Sequence, residues 1–502
     1  MKNIYENFSP FDRWLITIAV MSATLIQVLD TTIVNVALPT MQGSLSATSD
    51  EITWILTSYL VSSAIFMPLT GYFSDTLGRK NYMLISIFGF VIASGLCGAA
   101  TSISAMVLFR FLQGVFGAAL VPLSQAILAD IYPPEERGKA MAIWGIGVMV
   151  GPILGPTLGG YLTEIATWRW TFYINLPIGI FAFLIAWQVM PDSDKKSRNM
   201  DWLGLILLSC GIGGTQYALD RGNKADWFAS SEIWIASILA IGGLIGFCVN
   251  SYYQKNKSVF DIRIFKDRNF LVSSLILAMF GLSVFGGMVI LPLLLENLLN
   301  YPVITTGFAM APRGISAMIS MMIVSKLIKT VDPRILVIVG IMFCALGSIP
   351  GTYYNLEINT WWVVWPLIIQ GFGIGLMFVP LSAVAYSTLH DSMRAEAAGL
   401  FSLLRTMGSS IGISIIITLY TRHTQIAWNQ LSGFVNPYNP ALTSYLQNMH
   451  LDIHQPLSIP LIANELGKQA QMIAFVDVYA FIAWSILGML PLVFFVRRYK
   501  SK

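Results

Sequence analysis

The sequence predicts an all-α polytopic membrane protein made of two six-helix bundles and two inserted helices, fourteen transmembrane helices in all. Three observations predict this fold class: long apolar segments, an uneven distribution of basic residues, and an internal repeat. Of the 502 residues, 55% are hydrophobic and 11% are charged, whereas about 25% are charged in an average soluble domain. The composition therefore excludes an ordinary soluble domain and indicates a chain that lies mostly in lipid.

Fourteen apolar segments have the length of a bilayer span, which is about 17–25 residues. The first is too long for a signal-peptide core and has no small-residue cleavage site, so we interpret it as a span. Residues 421–470 are expected to form a long periplasmic loop before the last span. The predicted spans are 14–38, 53–73, 82–100, 105–128, 139–163, 171–190, 202–219, 232–253, 270–296, 306–328, 335–353, 362–387, 398–420 and 472–496.

Basic residues predict the orientation of these spans. With the N-terminus inside, the cytoplasmic segments hold 22 of the 30 Lys and Arg residues, and the outer segments hold 5. This is a strong positive-inside signal, and the even number of spans places both termini in the cytoplasm. We therefore expect a multi-pass membrane protein, with the lipid bilayer as its surroundings. The net charge of +4 follows from this topology and predicts no nucleic-acid partner.

An internal repeat divides the chain into two halves. Residues 113–124 read QGVFGAALVPLS, and residues 370–382 read QGFGIGLMFVPLS. This alignment pairs span 4 with span 12, and therefore spans 1–6 with spans 9–14. The predicted organisation is an N-terminal bundle over 1–190, a linker with the inserted spans 7 and 8 over 191–269, and a C-terminal bundle over 270–502. Such repeats are typical of transporters whose substrate path lies between the repeats.

Span 5 carries an unusual run of glycines and prolines, which we call the glycine ridge. Glycines at every fourth position form a smooth helix face that a second helix can approach closely. Prolines remove backbone hydrogen bonds and bend a helix. We expect the ridge to pack at the junction of the two halves, where it would seal or hinge their interface. Its residues are Gly147, Gly151, Pro152, Gly155, Pro156, Gly159 and Gly160.

Several motifs resemble those of one transporter family. Residues 71–80, GYFSDTLGRK, resemble the loop motif of the major facilitator superfamily. The glycine ridge resembles the antiporter motif of drug:proton exchangers. LDTTIVNVALP at 29–39 and the R-x-x-Q-G pattern at 110–114 are similar to motifs of the fourteen-span drug:proton antiporters of the EmrB/QacA type. The matching loop residues are Gly71, Asp75, Gly78, Arg79 and Lys80. The resemblance implies that the charged ones, Asp75, Arg79 and Lys80, form a cytoplasmic charge-relay latch between helix ends that favours the outward-facing state. Solvated loop charges that anchor the topology are the alternative.

The resemblance implies a major facilitator fold and a proton-coupled multidrug efflux transporter, not an enzyme. Such a protein lies in the bacterial inner membrane and exports amphipathic or lipophilic cationic compounds across it by alternating access, and it is driven by the proton gradient without a cofactor. A periplasmic membrane-fusion adaptor and an outer-membrane channel are implied as partners. The alternative is a proton-coupled exporter of a specific metabolite, fatty acid, bile salt or siderophore.

Asp30 is the most informative single residue, because an ionisable group inside a span is costly and usually functional. It lies at a depth similar to that of Arg110 in span 4, so the two are expected to pair. We hypothesise that Asp30 exchanges a proton for substrate, with Arg110 as its charge partner. A purely structural salt bridge is the alternative.

Other polar groups within spans are candidates for a wet cavity or for helix–helix hydrogen bonds. Glu296 and Asp477 are candidate second protonation sites near outer helix ends. His450 and His454 have the spacing of a metal pair, but no third ligand is evident, so no metal site is predicted. Tyr59 and Trp144 are candidates to stack on lipophilic cations. The possible cavity residues are Gln27, Asn35, Gln113, Arg313, Gln370 and Arg405, with Asn175 as a further polar group.

Overall fold

The computed structural model describes residues 9–48, 51–133, 136–192, 195, 200–254, 258–389, 393–436, 438–448 and 458–497. Within these residues the chain is helical and contains no strand. We number the long helices α1–α14, and a short helix, Pro440–Asn448, lies between the last two. The long helices are α1 Pro10–Ser44, α2 Trp54–Leu77, α3 Arg79–Ala99, α4 Ile103–Ile131, α5 Arg137–Ile165, α6 Trp170–Val189, α7 Trp202–Arg221, α8 Ser231–Gln254, α9 Arg268–Leu298, α10 Val303–Leu327, α11 Pro333–Tyr353, α12 Thr360–Ser387, α13 Arg394–Ser432 and α14 Ser458–Val493.

Every predicted span coincides with one long helix, and the predicted all-α membrane fold is confirmed. Thirteen helices of the described residues are apolar enough and long enough to cross a membrane. The remaining one, α5, has 29 residues, or about 44 Å at 1.5 Å per residue. The predicted loop over 421–470 is in large part helical, because α13 continues to Ser432 and α14 begins at Ser458.

The helices form two halves with matching contacts. In the first half, α1 packs against α5, α6 and α4, and α2 packs against α4. In the second half, α9 packs against α13, and α10 and α11 pack against α12. The halves meet through α5 against α10 and through α2 against α13, two pairs that the internal repeat relates. The domain limits at 190 and 270 stay predictions.

The glycine ridge does not lie where the sequence analysis expects it. Gly147, Gly151, Gly155 and Gly159 face α1 of the same half. A methyl group on Gly151 would lie 2.8 Å from the carbonyl oxygen of Val28, and one on Gly159 would lie 2.8 Å from that of Ile33. The expectation that the ridge seals the junction of the halves is therefore wrong. Glycine every fourth residue selects one helix face, but the pattern alone does not say which neighbour occupies that face.

A different face of α5 meets the second half. A methyl group on Gly145 would lie 2.7 Å from Met321 Sδ of α10, and one on Gly138 would lie 2.7 Å from Cγ2 of Ile328, the residue that follows α10. Helix α5 thus contacts α1 on one side and α10 on another. It is continuous from Arg137 to Ile165, although the side chains of Pro152 and Pro156 lie outside the described part.

The inserted helix α7 bridges α2 and α13. The Thr57 hydroxyl of α2 donates to the Asp220 carboxylate of α7. On the other side, Gln216 Nε2 donates to Ser410 Oγ of α13 at 2.9 Å, and Ser414 Oγ donates to the Leu219 carbonyl at 2.8 Å. Helix α7 therefore has hydrogen-bond partners in both halves.

This bridge leads to a prediction about motion. Helices α2 and α13 belong to opposite halves. Because α7 is hydrogen-bonded to both, it must break its hydrogen bonds to one of them when the halves separate. We expect the Gln216→Cys/Ser410→Cys variant, oxidised in a background without the four native cysteines, to lose most export. A reductant should restore it, and each single cysteine variant serves as a control. Full export by the cross-linked protein would show instead that α7 moves with α13 as one body.

Candidate functional site

A buried polar cluster surrounds Asp30 in the first half. Asp30 and Arg110 are both 0% exposed, and Arg110 Nη1 lies 2.5 Å from Asp30 Oδ2. Gln113 Nε2 and Asn175 Nδ2 donate to the other carboxylate oxygen at 2.9 and 3.1 Å. Asp30 thus accepts one charge-assisted and two neutral hydrogen bonds, which offset the cost of burying its charge. The pairing that the sequence predicts between Asp30 and Arg110 is present.

The guanidinium of Arg110 is held by three further groups. Its Nε donates to the Ile55 carbonyl at 3.1 Å, and its Nη1 also donates to Gln113 Oε1 at 2.8 Å. The Tyr59 ring lies 4.3 Å below the guanidinium carbon, within cation–π distance. The cluster therefore joins α1, α2, α4 and α6 around one carboxylate.

Small residues on the ridge fix the position of α1 beside this cluster. Thr32 Oγ1 of α1 donates to the Gly151 carbonyl of α5 at 3.1 Å, one helical turn from Val28, which packs on the same glycine. Asp30 lies between these two contacts in the chain. The ridge therefore holds the turn of α1 that carries the buried carboxylate, and it connects that turn to the helix that contacts α10.

The loop motif forms an ion-pair network at the end of the molecule that carries Gly78. Arg79 pairs with Asp130 at the end of α4, and the same carboxylate lies 3.3 Å from Arg394 Nη1 of α13. Asp130 is only 8% exposed, so these interactions lie largely out of water. We call Arg79, Asp130 and Arg394 the latch; it joins the two halves.

Other motif residues shape this end. Gly78 has a φ of 83°, a region where a side chain is strained, and it permits the sharp turn from α2 to α3. Gly71 lets α2 approach α13, since a methyl group there would lie 2.8 Å from Glu396 Cα. Lys80 lies 3.6 Å from the exposed Asp192. Asp75 is half-buried, and no hydrogen bond or ion pair joins it to another described residue.

Asp130, Arg394 and Glu396 are not among the site residues predicted from the sequence. A signal was present, because Asp130 lies two residues after predicted span 4 and Arg394 lies four residues before predicted span 13, both on the cytoplasmic side that also carries the loop motif. The Glu396 carboxylate accepts from the Asp261 backbone N–H and so ties α13 to the segment before α9. A further contact between the halves joins Tyr386 Oη to Gln125 Oε1 at 3.0 Å.

The remaining candidates are dispersed. Gln27 donates to Tyr59 Oη at 3.3 Å next to the cluster, whereas Asn35 is exposed further along α1. Gln370 donates to Ser348 Oγ at 2.9 Å within the second half. Asp477 is exposed and lies 2.7 Å from His423, away from the buried cluster. Glu296 is half-buried at the end of α9, and His450 and His454 lie outside the described residues.

The two arginines of the second half have a different setting from Arg110. Arg313 is 3% exposed and donates to the Val284 carbonyl at 3.2 Å. Arg405 lies 6.0 Å above the Trp144 ring of α5, which stacks on Phe378 at 5.5 Å. Neither arginine has a carboxylate within ion-pair distance in the part of the chain that the structure describes.

A family model described as Major Facilitator Superfamily matches residues 20–413. The chain belongs to the major facilitator superfamily. It is 36% identical over 487 residues to a "Multidrug export protein EmrB" of Escherichia coli (strain K12), with 96% of this chain and 95% of the relative covered. It is 34% identical over 477 residues to the "Fatty acid resistance protein FarB" of Neisseria gonorrhoeae, with 94% and 93% covered. The family predicted from the motifs is confirmed.

Solved structures of this superfamily share the fold. The proton:xylose symporter XylE superposes with a TM-score of 0.62 at 13% identity, covering 98% of each chain. The human organic anion transporter MFSD10 gives 0.61 at 15% identity, covering 95% of this chain and all of the other. These structures show that the chain has the fold of this superfamily, and its many apolar helices make it a multi-pass membrane protein.

Proposed function

We propose that the protein is a proton-coupled multidrug exporter that moves amphipathic compounds across the bacterial inner membrane by alternating access. The observation that carries this proposal is the fully buried Asp30 carboxylate, held by Arg110, Gln113 and Asn175 inside the first half. A buried carboxylate with a single cationic partner can exchange a proton when that partner moves. Relatives named as multidrug export proteins support the direction and breadth of transport.

Proton binding would act on the contacts of α1. A proton on Asp30 removes the negative charge that Arg110 neutralises, so the attraction between α1 and α4 weakens. Helix α1 is bonded to α5 through Thr32 and Gly151, and α5 packs on α10 of the second half. A shift of α1 is thus passed through α5 to the interface between the halves.

The latch would set which side of the cavity is closed. Asp130 shares its charge with Arg79 and Arg394, and this holds the Gly78 end shut in the conformation described here. The positive-inside pattern predicts that this end faces the cytoplasm. We therefore propose that opening toward the cytoplasm requires the Asp130–Arg394 contact to break.

The latch supports a further prediction. Arg394→Gln removes the contact between the halves but leaves the Arg79–Asp130 pair intact, so it should shift the population toward opening at the Gly78 end. We expect Leu128→Cys, at a buried position of α4 two residues before Asp130, to react at least about tenfold faster with a membrane-impermeant maleimide in this background. Lys266→Gln, which removes an exposed charge in the segment before α9, is the control. Equal reactivity in all backgrounds would remove the latch from the mechanism.

The far end of α13 supports a proposal about partners. Its 39 residues extend about 58 Å, well beyond a hydrocarbon core of about 30 Å. The helix is followed by the exposed Phe434 and Tyr438 and by the short helix Pro440–Asn448. We propose that this protruding part contacts a periplasmic membrane-fusion adaptor, which would lead on to an outer-membrane channel.

The proposed function is tested in proteoliposomes with a trapped pH-sensitive dye. Under an imposed pH gradient, adding an amphipathic drug to the side where transport starts should release protons from the vesicles. A toxicity panel in a pump-deficient cell then compares many drugs with single metabolites, fatty acids, bile salts and siderophores. If no compound of the panel elicits proton movement, antiport is contradicted. Protection against one compound alone would favour the specific exporter.

A further inference from the structure

We propose that Asn175 is a positioning residue for proton binding at Asp30: its side-chain amide makes a half turn when Asp30 takes up a proton, and its carbonyl then accepts from the acid O–H. This inference rests on the proposed proton exchange at Asp30 and names the group that stabilises the protonated form. It follows from the donors around the carboxylate, from the buried carbonyl of Asn175, and from the contacts of the neighbouring side chains.

Every described hydrogen-bond partner of the Asp30 carboxylate is a donor. Arg110 Nη1 donates to Oδ2, and Gln113 Nε2 and Asn175 Nδ2 donate to Oδ1 at 2.9 and 3.1 Å. This arrangement suits the ionised form, which only accepts, whereas a protonated carboxyl carries an O–H that must donate. A proton on either oxygen therefore faces a donor, and one of the three neighbours must present an acceptor in its place.

Arg110 and Gln113 cannot present that acceptor. A guanidinium has only donors. Gln113 Oε1 already accepts from Arg110 Nη1 at 2.8 Å and from Cys97 Sγ at 3.6 Å, so turning this amide would place its Nε2 against two donors. The other titratable group described beside the guanidinium, Tyr59, faces it with its ring, and the Tyr59 hydroxyl accepts from Gln27.

Asn175 carries the acceptor that the protonated form needs. The residue is 0% exposed, and its buried Oδ1 has no hydrogen-bond partner in the described part of the chain. The two ends of an amide are similar in size, and the terminal torsion of an asparagine is broad and roughly two-fold. A half turn therefore exchanges Oδ1 and Nδ2 without moving the backbone, and it directs Oδ1 to the O–H of Asp30.

Ser94 of α3 suits both orientations of this amide. In the conformation described here, Asn175 Nδ2 donates to Ser94 Oγ at 3.1 Å, and this hydroxyl donates to the Phe172 carbonyl at 2.9 Å. A hydroxyl rotates and can donate or accept, so Ser94 can donate to Asn175 Oδ1 after the half turn. Proton binding at Asp30 thus also changes the hydrogen bonds between α3 and α6.

The test is infrared difference spectroscopy of the full chain in nanodiscs, with asparagine isotope-labelled at its side-chain carbonyl. A pH step that protonates Asp30 produces a carboxylic-acid band that is absent in Asp30→Ser, a variant that adds no labelled amide. We expect a labelled amide band to shift to lower frequency together with this acid band, because the Asn175 carbonyl gains a hydrogen bond. The shift should be absent in Asp30→Ser and in Asn175→Leu. In the wild type, an acid band without a labelled shift would overturn the inference, as would a shift that remains in Asn175→Leu.

A transport measurement adds a matched control. Asn175→Leu should slow drug-driven proton exchange about tenfold or more, because the protonated carboxyl loses its acceptor. Asn269→Leu makes the same change at a buried asparagine whose Oδ1 already accepts from the Arg497 backbone N–H at 2.8 Å, and it should leave the rate unchanged. A thermal melt of each variant verifies folding, and equal rates in the two leucine variants would contradict the inference.

The two measurements separate this inference from the proposed function. The spectra need neither a drug nor a gradient. A labelled shift in a protein that shows no drug-driven proton exchange would contradict only the proposed function. Intact exchange in a wild type without a labelled shift would contradict only the role of Asn175.

Discussion

Asp30→Asn is expected to abolish drug-dependent proton movement in proteoliposomes, down to the level of empty vesicles. The amide keeps the size of the side chain and can still accept from Gln113 or Asn175, but it cannot take up and release a proton. The substitution also leaves Arg110 buried without its counter-charge, and breaking a buried pair in this way costs about 3–5 kcal/mol. Transport of protons and thermal stability should therefore both fall.

A double variant separates coupling from stability. Asp30→Asn/Arg110→Gln removes both charges, so stability should return toward that of the wild type while proton coupling stays absent. If the pair is purely a structural salt bridge, the double variant should instead restore drug-dependent proton movement. Asp226→Asn makes the same chemical change at an exposed acid between α7 and α8, and it should leave coupling intact.

Gly151→Val is expected to reduce export about tenfold or more and to lower the melting temperature. Even a methyl group here would lie 2.7 Å from the carbonyl carbon and 2.8 Å from the carbonyl oxygen of Val28, so a branched side chain must push α1 away from α5. Overpacking of this kind costs about 1–3 kcal/mol. The Thr32 hydrogen bond to the Gly151 carbonyl would be stretched, and with it the contact that positions Asp30.

Gly242→Val is the control for this prediction, because a methyl group on Gly242 of α8 meets nothing within 4 Å. Both variants introduce the same residue into a membrane helix, and they differ in whether a second helix is close. Export and melting are measured side by side in the same vesicles and detergent. Unchanged export in Gly151→Val would show that the approach of α1 to α5 is not needed for transport.

Sequence reasoning was successful where the physical signal is local or periodic. Apolar length located all fourteen helices, and the repeat identified α7 and α8 as an insertion. An ionisable residue within an apolar segment marked Asp30 and Arg110, and their pairing followed from similar depth. Helix ends were less well predicted for α13 and α14, because beyond the bilayer a helix is not required to be apolar and hydropathy no longer marks its limit.

The sequence by itself determined the membrane class, the family, the two-half organisation and the buried carboxylate. Only the tertiary structure decided that the glycine ridge faces α1 and not the second half, that Asn175 completes the Asp30 site, and that Asp130 joins Arg79 to Arg394. It also decided that Asn175 Oδ1 has no hydrogen-bond partner among the described residues. The physical reason is that a helical pattern defines a face and a depth, whereas the neighbour on that face depends on how all fourteen helices pack together.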